Sequence, residues 1–163
     1  MVKRYIALVL ATVLFTLHIF VGSATAANVS EKNRTIPANE DGTTTIISQG
    51  DYVKGKRLFV DTCSQCHGSG MTKTNPNVGL GIEAMSGAEP PRTNVAALVD
   101  YMQNPTTYDG EIEIYELHPS TRSSDIFPEM RNLSDDDLAA IASYILVETN
   151  VRPKQWGAGK NNR

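Results

Sequence analysis

The chain has 163 residues, 40% hydrophobic and 20% charged, with 15 Lys or Arg against 18 Asp or Glu. These proportions describe one folded domain plus, at most, a targeting segment, and they exclude a disordered chain. A net charge of −3 argues against a nucleic-acid partner, and two cysteines exclude a disulfide framework, a four-cysteine zinc site and an iron–sulfur cluster.

Residues 1–26 read as a cleaved signal peptide. Lys3 and Arg4 form a positive start, Tyr5 to Val21 are mostly apolar, and Ala24-Thr25-Ala26 is an Ala-x-Ala cleavage site. The 17-residue apolar run is interrupted by Thr12, Thr16 and His18, and a spanning helix needs roughly 20 apolar residues. Cleavage after Ala26 leaves residues 27–163, with 13 basic against 18 acidic side chains and only two histidines, His67 and His118. No second apolar span follows, so the mature chain is expected to be soluble or peripheral.

Residues 27–47 form an N-terminal extension. Thr35 to Ala38 and Thr43 to Ile47 flank an Asp41-Gly42 turn, the pattern of a small β-hairpin that must pack on a larger body. Ser48 then caps a helix in which Tyr52, Gly55, Leu58 and Phe59 share one stripe. Gly55 either admits a close helix crossing or simply weakens the helix. Residues 68–93, with five Gly and three Pro, have no periodicity; so long an irregular stretch is functional or wraps something. Asn94 caps a short helix that Asn104-Pro105 stops. The last helix starts at the Ser134 cap, carries Asp135, Asp136 and Asp137 at its positive end, and runs through Leu138, Ile141, Ala142 and Ile145. It is expected to end near Thr149-Asn150, and residues 151–163, including Trp156, to form an exposed C-terminal arm.

Cys63-Ser64-Gln65-Cys66-His67 carries the chemistry. Cys-x-x-Cys-His is the signature of covalent haem attachment: each thiol adds to one vinyl group, and the adjacent imidazole reaches the iron. Three other readings use the same residues. A thioredoxin-like redox pair requires an α/β pattern that is absent; a zinc site needs a fourth ligand, which His118 could supply; a Cys63–Cys66 disulfide closes a strained loop. The export signal, the helix ending before Cys63 and the long loop after His67 favour haem c. For the opposite face of the iron, the residues leave His118 and four thioethers, Met71, Met85, Met102 and Met130, as candidates. Pro119 disfavours helix at His118, which would present its imidazole from an extended loop. Met130, after Pro128 and before the last helix, stands where many small cytochromes place a ligating methionine.

The chain resembles the cytochrome c-550 family, the extrinsic cytochromes of photosystem II in cyanobacteria and red algae. The resemblance rests on Gly55 to Phe59, Cys63 to His67, Thr72 to Pro76, Pro90-Pro91-Arg92, Leu98 to Met102, Asn104 to Gly110, Glu116 to Ser120, Asp125 to Pro128, Met130 to Leu133 and Trp156-Gly157. It covers essentially the whole of residues 27–163, although the family commonly ends in a Tyr-rich tail and this chain ends Lys160-Asn161-Asn162-Arg163. It implies an all-α, class I cytochrome c fold with one covalent haem c on Cys63 and Cys66, and with His67 and His118 as axial ligands of low potential. It further implies a non-enzymatic, lumenal, extrinsic subunit of photosystem II on the thylakoid membrane, which supports oxygen evolution by helping to retain calcium and chloride. A soluble electron shuttle of the lumen or periplasm is the alternative. A haem enzyme would need an open iron position and a distal acid–base group, and with both mature histidines on iron none remains. The helix from Ser48 is expected to cross the helix from Ser134, with haem between them and the hairpin at one edge.

Overall fold

The computed structural model describes residues 28–158, together with Ile6. Apart from Ile6, the signal-peptide segment lies outside the described residues, as do residues 159–163. A one-turn helix, α1 (Glu31–Arg34), leads into an antiparallel hairpin of β1 (Thr35–Pro37) and β2 (Thr44–Ile46), with Ile36 opposite Thr45. Then follow α2 (Gln49–Thr62), α3 (Ser64–His67), α4 (Ile82–Ser86), α5 (Val95–Gln103) and α6 (Asp135–Val151), with three 3-10 turns between them. The hairpin is where the turn chemistry places it, and α1 and α4 are short elements that the sequence pattern does not announce.

The caps explain the long helices. The Ser48 hydroxyl accepts from the Asp51 amide at 3.0 Å and Asn94 Oδ1 accepts from the Ala97 amide at 2.8 Å, each satisfying a donor that the first helical turn leaves free. Ser134 and Asp137 form a reciprocal capping box at the start of α6. Asp137 also meets Lys54 Nζ at 2.8 Å, so the cap of α6 is tied to the side of α2. Between the described helices none is long and apolar enough to cross a membrane.

α2 and α6 cross at Gly55. A Cβ there would overlap the Ala140 carbonyl oxygen and approach its carbonyl carbon to 2.7 Å. Only a glycine lets the two backbones come this close, which decides between the two readings of Gly55 in favour of packing. Phe59 and Tyr144 stack across the crossing with ring centroids 5.2 Å apart, and Tyr52 lies 5.6 Å from Tyr144. Every residue of α6 from Ala140 to Thr149 is buried. The i, i+3, i+4, i+7 stripe is real but understates this helix, because α2, α5, α1 and β1 all pack on it from different sides. Leu138, Ile141, Leu146 and Val147 are at most 2% exposed, and each contributes about 1.5–3 kcal/mol by leaving water.

The tail differs from expectation. Trp156 is 3% exposed, stacked 5.5 Å from Phe59 and edge-on to Tyr144 at 5.7 Å. Within the arm, residues 153–155 are exposed as expected, but Trp156 is packed against the α2–α6 crossing. Gly157 makes the contact possible: at φ +71° its backbone lies against Leu80 and Gly81, where a side chain would collide. Its amide donates to the Ser69 carbonyl at 2.9 Å. A second lock is polar: Glu148, buried, accepts from Tyr52 Oη at 2.6 Å and from Arg152 Nε at 2.6 Å.

Candidate haem site

The Cys63–His67 segment begins where α2 ends. The Cys63 amide donates to the Phe59 carbonyl at 2.8 Å, and the Cys63 carbonyl accepts from the His67 amide at 2.8 Å, so α3 is a fresh turn rather than a continuation. This brings the two thiols and the imidazole onto one turn. Cys63 is half-buried, Cys66 exposed, and neither is bonded to the other. Burial pushes the Cys63 thiol up to about 11, opposed by the Thr62 hydroxyl at 3.1 Å. A redox-active Cys-x-x-Cys pair has a depressed thiol instead. Among the described residues no three His, Cys, Asp or Glu side chains gather as an ion-binding cluster, so the zinc reading finds no support.

His118 reaches the site from a folded loop, not an extended one. The Ile114 amide donates to the Pro105 carbonyl at 2.8 Å, and Thr107 and Ile112 pair at 2.8 Å, closing residues 105–114 on themselves. The Ile114 carbonyl then accepts from the amides of both Leu117 and His118 at 2.8 Å. His118 thus ends a single turn that Pro119 prevents from continuing. Beyond it Ser120 and Ser123 are buried, with hydroxyls 2.8 Å apart, and pin the far side of the loop.

The two imidazoles face each other. The ring centroids of His67 and His118 are 6.0 Å apart and the planes are tilted by 51°. Two metal–nitrogen bonds of about 2.0 Å, plus the two half-rings, come to roughly this spacing. His118 Nδ1 lies 2.9 Å from the Pro119 carbonyl oxygen, which can only accept, so Nδ1 carries the proton and Nε2 is the free lone pair. His67 Nδ1 lies 3.2 Å from Thr72 Oγ1. Ligating histidines are held by their second nitrogen in this way. Burial lowers the pKa of both imidazoles; for His118 the value is about 4, with His67 and Arg92 adding to the effect. Both rings are therefore neutral at neutral pH, the form that binds a metal.

The thioether candidates divide between core and surface. Met85, Met102 and Met130 are at most 7% exposed and belong to the hydrophobic core, and Met71 is 40% exposed. The ring paired with that of His67 is His118, 6.0 Å away. Around it stand residues whose roles the sequence pattern left unread. The Tyr101 ring meets His118 edge-on at 5.1 Å, and the Arg92 guanidinium lies 3.8 Å above the Tyr101 ring. Arg92 Nη2 donates to the carbonyls of Thr107 at 2.9 Å and Thr106 at 3.3 Å. One signal was present: Tyr101 falls on the same face of α5 as buried Leu98, a place where a tyrosine needs a reason.

The helical body and the Cys-x-x-Cys-His turn define a class I c-type cytochrome. The comparisons agree in detail. The family model described as "Cytochrome c-550 domain" matches residues 27–163. The photosystem II extrinsic protein V of Aphanothece halophytica is 54% identical over 160 residues, 98% of each chain, and that of Acaryochloris marina 50% over 163 residues, all of each chain. The crystal structure of cytochrome c549 superposes with a TM-score of 0.77 at 55% identity, covering 78% of this chain and 99% of that one. The PsbV2 cytochrome of Thermosynechococcus elongatus gives 0.63 at 34% identity, covering 76% and 87%. The chain belongs to the cytochrome c-550 family. The fold expectation, an all-α class I cytochrome body with a small hairpin, is met, and the family implies a haem c cofactor rather than an enzyme's active site.

Proposed function

We propose that this chain is a low-potential, bis-histidine cytochrome that works as a lumenal extrinsic subunit of photosystem II. Cys63 and Cys66 hold one haem c covalently, and His67 and His118 take its two axial positions. The observation that carries this reading is the pair of imidazoles 6.0 Å apart, each with Nδ1 in a hydrogen bond, which leaves Nε2 of each for iron on this reading. When bound, haem supplies reversible one-electron exchange; the protein sets the potential. Two imidazoles stabilise ferric iron better than imidazole plus thioether, so the pair keeps the potential low. The anchors at Thr72 and the Pro119 carbonyl add to ring basicity in the same direction.

Processing after Ala26 is part of the proposal. It is supported by the Ala24-Thr25-Ala26 site and by the family match, which begins at residue 27. The printed names of the full-length relatives support the partner, photosystem II. On this reading the protein acts by being bound: it caps the lumenal side of the complex and slows the loss of calcium and chloride.

The test is release and rebinding. High-salt washing of isolated photosystem II should remove the protein, because exposed charge pairs are screened beyond about 10 Å at 0.1 M salt. Oxygen evolution should fall, recover in part with added calcium and chloride, and recover further when the protein rebinds. Intact mass should match residues 27–163 plus one haem. A mass without the haem increment removes the cofactor assignment; full rebinding with no recovery of oxygen evolution removes the stabilising role in favour of an electron shuttle.

A further inference from the structure

The distal histidine has a clamp of its own. His67 sits in the turn that carries the two cysteines, so its place is set by short-range geometry. His118 is 51 residues further along, at the end of a loop, and among the described residues its one hydrogen bond through the ring is to the carbonyl of its own neighbour, Pro119. That bond fixes which nitrogen is free but, being local, does not fix where the whole turn stands relative to α5. The contact across to α5 is the edge of Tyr101, 5.1 Å from the His118 ring at 64°. The Tyr101 ring face is covered by the Arg92 guanidinium at 3.8 Å. Arg92 is in turn held by the carbonyls of Thr106 and Thr107, which belong to the same loop that delivers His118. The chain of contacts therefore closes: loop to Arg92, Arg92 to Tyr101, Tyr101 to His118, His118 back to the loop.

We propose that Tyr101 is the positioning residue of the distal ligand and that Arg92 acts through it, the two together holding the His118 ring at the angle and distance from which its Nε2 binds iron. The proposal rests on His118 being the sixth ligand. An edge-to-face contact restricts rotation of a ring without taking up its nitrogens, so a tyrosine placed this way orients His118 and leaves Nε2 free. The cation over the ring face, itself tied at two carbonyls, keeps the tyrosine from swinging away.

The experiment uses the haem-loaded protein and cyanide, a ligand that binds ferric iron only when His118 lets go. In Tyr101→Ala, cyanide should bind on the order of tenfold faster than in wild type, the scale of one aromatic contact. The low-spin electron paramagnetic resonance signal should broaden or shift, reporting a changed angle between the two imidazole planes. Tyr101→Phe keeps the ring and should behave as wild type in both readouts. Arg92→Gln should accelerate cyanide binding in the wild-type background and have no further effect in Tyr101→Ala, since contacts acting in series are not additive. If Tyr101→Ala yields no folded protein, Tyr101→Leu, which fills the space without an aromatic edge, takes its place with the same expectations. Cyanide rates and resonance signals unchanged in Tyr101→Ala or Tyr101→Leu overturn the proposal, whatever happens to the melting temperature. An Arg92→Gln effect that persists in full without Tyr101 overturns the serial arrangement. A near-infrared methionine–iron band in the wild type would instead sink the bis-histidine reading, so the two failures are distinguishable.

Discussion

The α2–α6 crossing and the His118 loop are built by opposite means. At the crossing, apolar side chains interlock over Gly55, and three aromatic rings, Phe59, Tyr144 and Trp156, pack within 6 Å of one another. In the loop, position is set by backbone carbonyls: Pro105, Thr107 and Ile114 are all accepting, and the side chains facing solvent include Ile112 and Leu117, 62% and 82% exposed. The crossing is held by area removed from water, which is additive and non-directional. The loop is held by directional bonds, each of which places one atom. A cytochrome needs both: a body held by close packing, and a site whose atoms are placed one by one.

The comparison breaks most visibly at Gly55. Gly55→Leu forces a side chain into the Ala140 backbone, which cannot move without separating α2 from α6. We expect a loss of several kcal/mol, beyond the 1–3 kcal/mol of ordinary overpacking, and little folded protein; chemical denaturation or recovery of haem-loaded protein measures it. His118→Met acts on the other region and should leave the body intact. The midpoint potential should rise on the order of 0.1 V, within the roughly 0.8 V that axial ligands span, and redox titration reads it. Unchanged potential would mean that His118 is not on the iron.

Two smaller changes sharpen the contrast within the body. Tyr52→Phe removes the donor to buried Glu148 Oε1 while Arg152 still pairs with the same carboxylate. A cost of about 1–2 kcal/mol in unfolding free energy is expected, with no change in potential, because Tyr52 stands in the first turn of α2 while the Cys63–His67 turn follows its last. Ser134→Ala removes the α6 cap and costs about 1 kcal/mol. The same cap gives a pH dependence. Lys54 and the Ser134 backbone and hydroxyl hold the Asp137 carboxyl down to about 2. Its folded pKa is below its unfolded value near 3.9, so its stabilising contribution is complete above about pH 4 and is lost as pH falls through 2. Acid unfolding of Asp137→Asn should lack this component.

Much of the fold was legible because its signals are local. Ser48, Asn94 and Ser134 cap helices wherever a free amide waits two or three residues on, and Asp41-Gly42 turns a hairpin with no help from elsewhere. The failures are equally instructive. Trp156 reads as part of a polar tail because the residues that bury it, Phe59, Tyr144 and Gly70, are distant in sequence. The α6 stripe reads as one-sided because periodicity shows which face is most apolar, not how many neighbours arrive. His118 reads as extended because Pro119 speaks only about its own backbone, whereas Ile114 supplies the turn.

By itself, then, the sequence determined the three long helices and their caps and pointed to haem attachment at Cys63, Cys66 and His67, since those signals depend on residues within a turn of each other. It also narrowed the opposing ligand to one histidine and a few methionines. Only the tertiary structure decided that His118 faces His67 at 6.0 Å, that Tyr101 and Arg92 stand behind it, and that the methionine candidate Met130 belongs to the core. Those facts depend on how a loop closes and which helix it closes against, and contacts between residues far apart along the chain leave no period or spacing for a sequence to show.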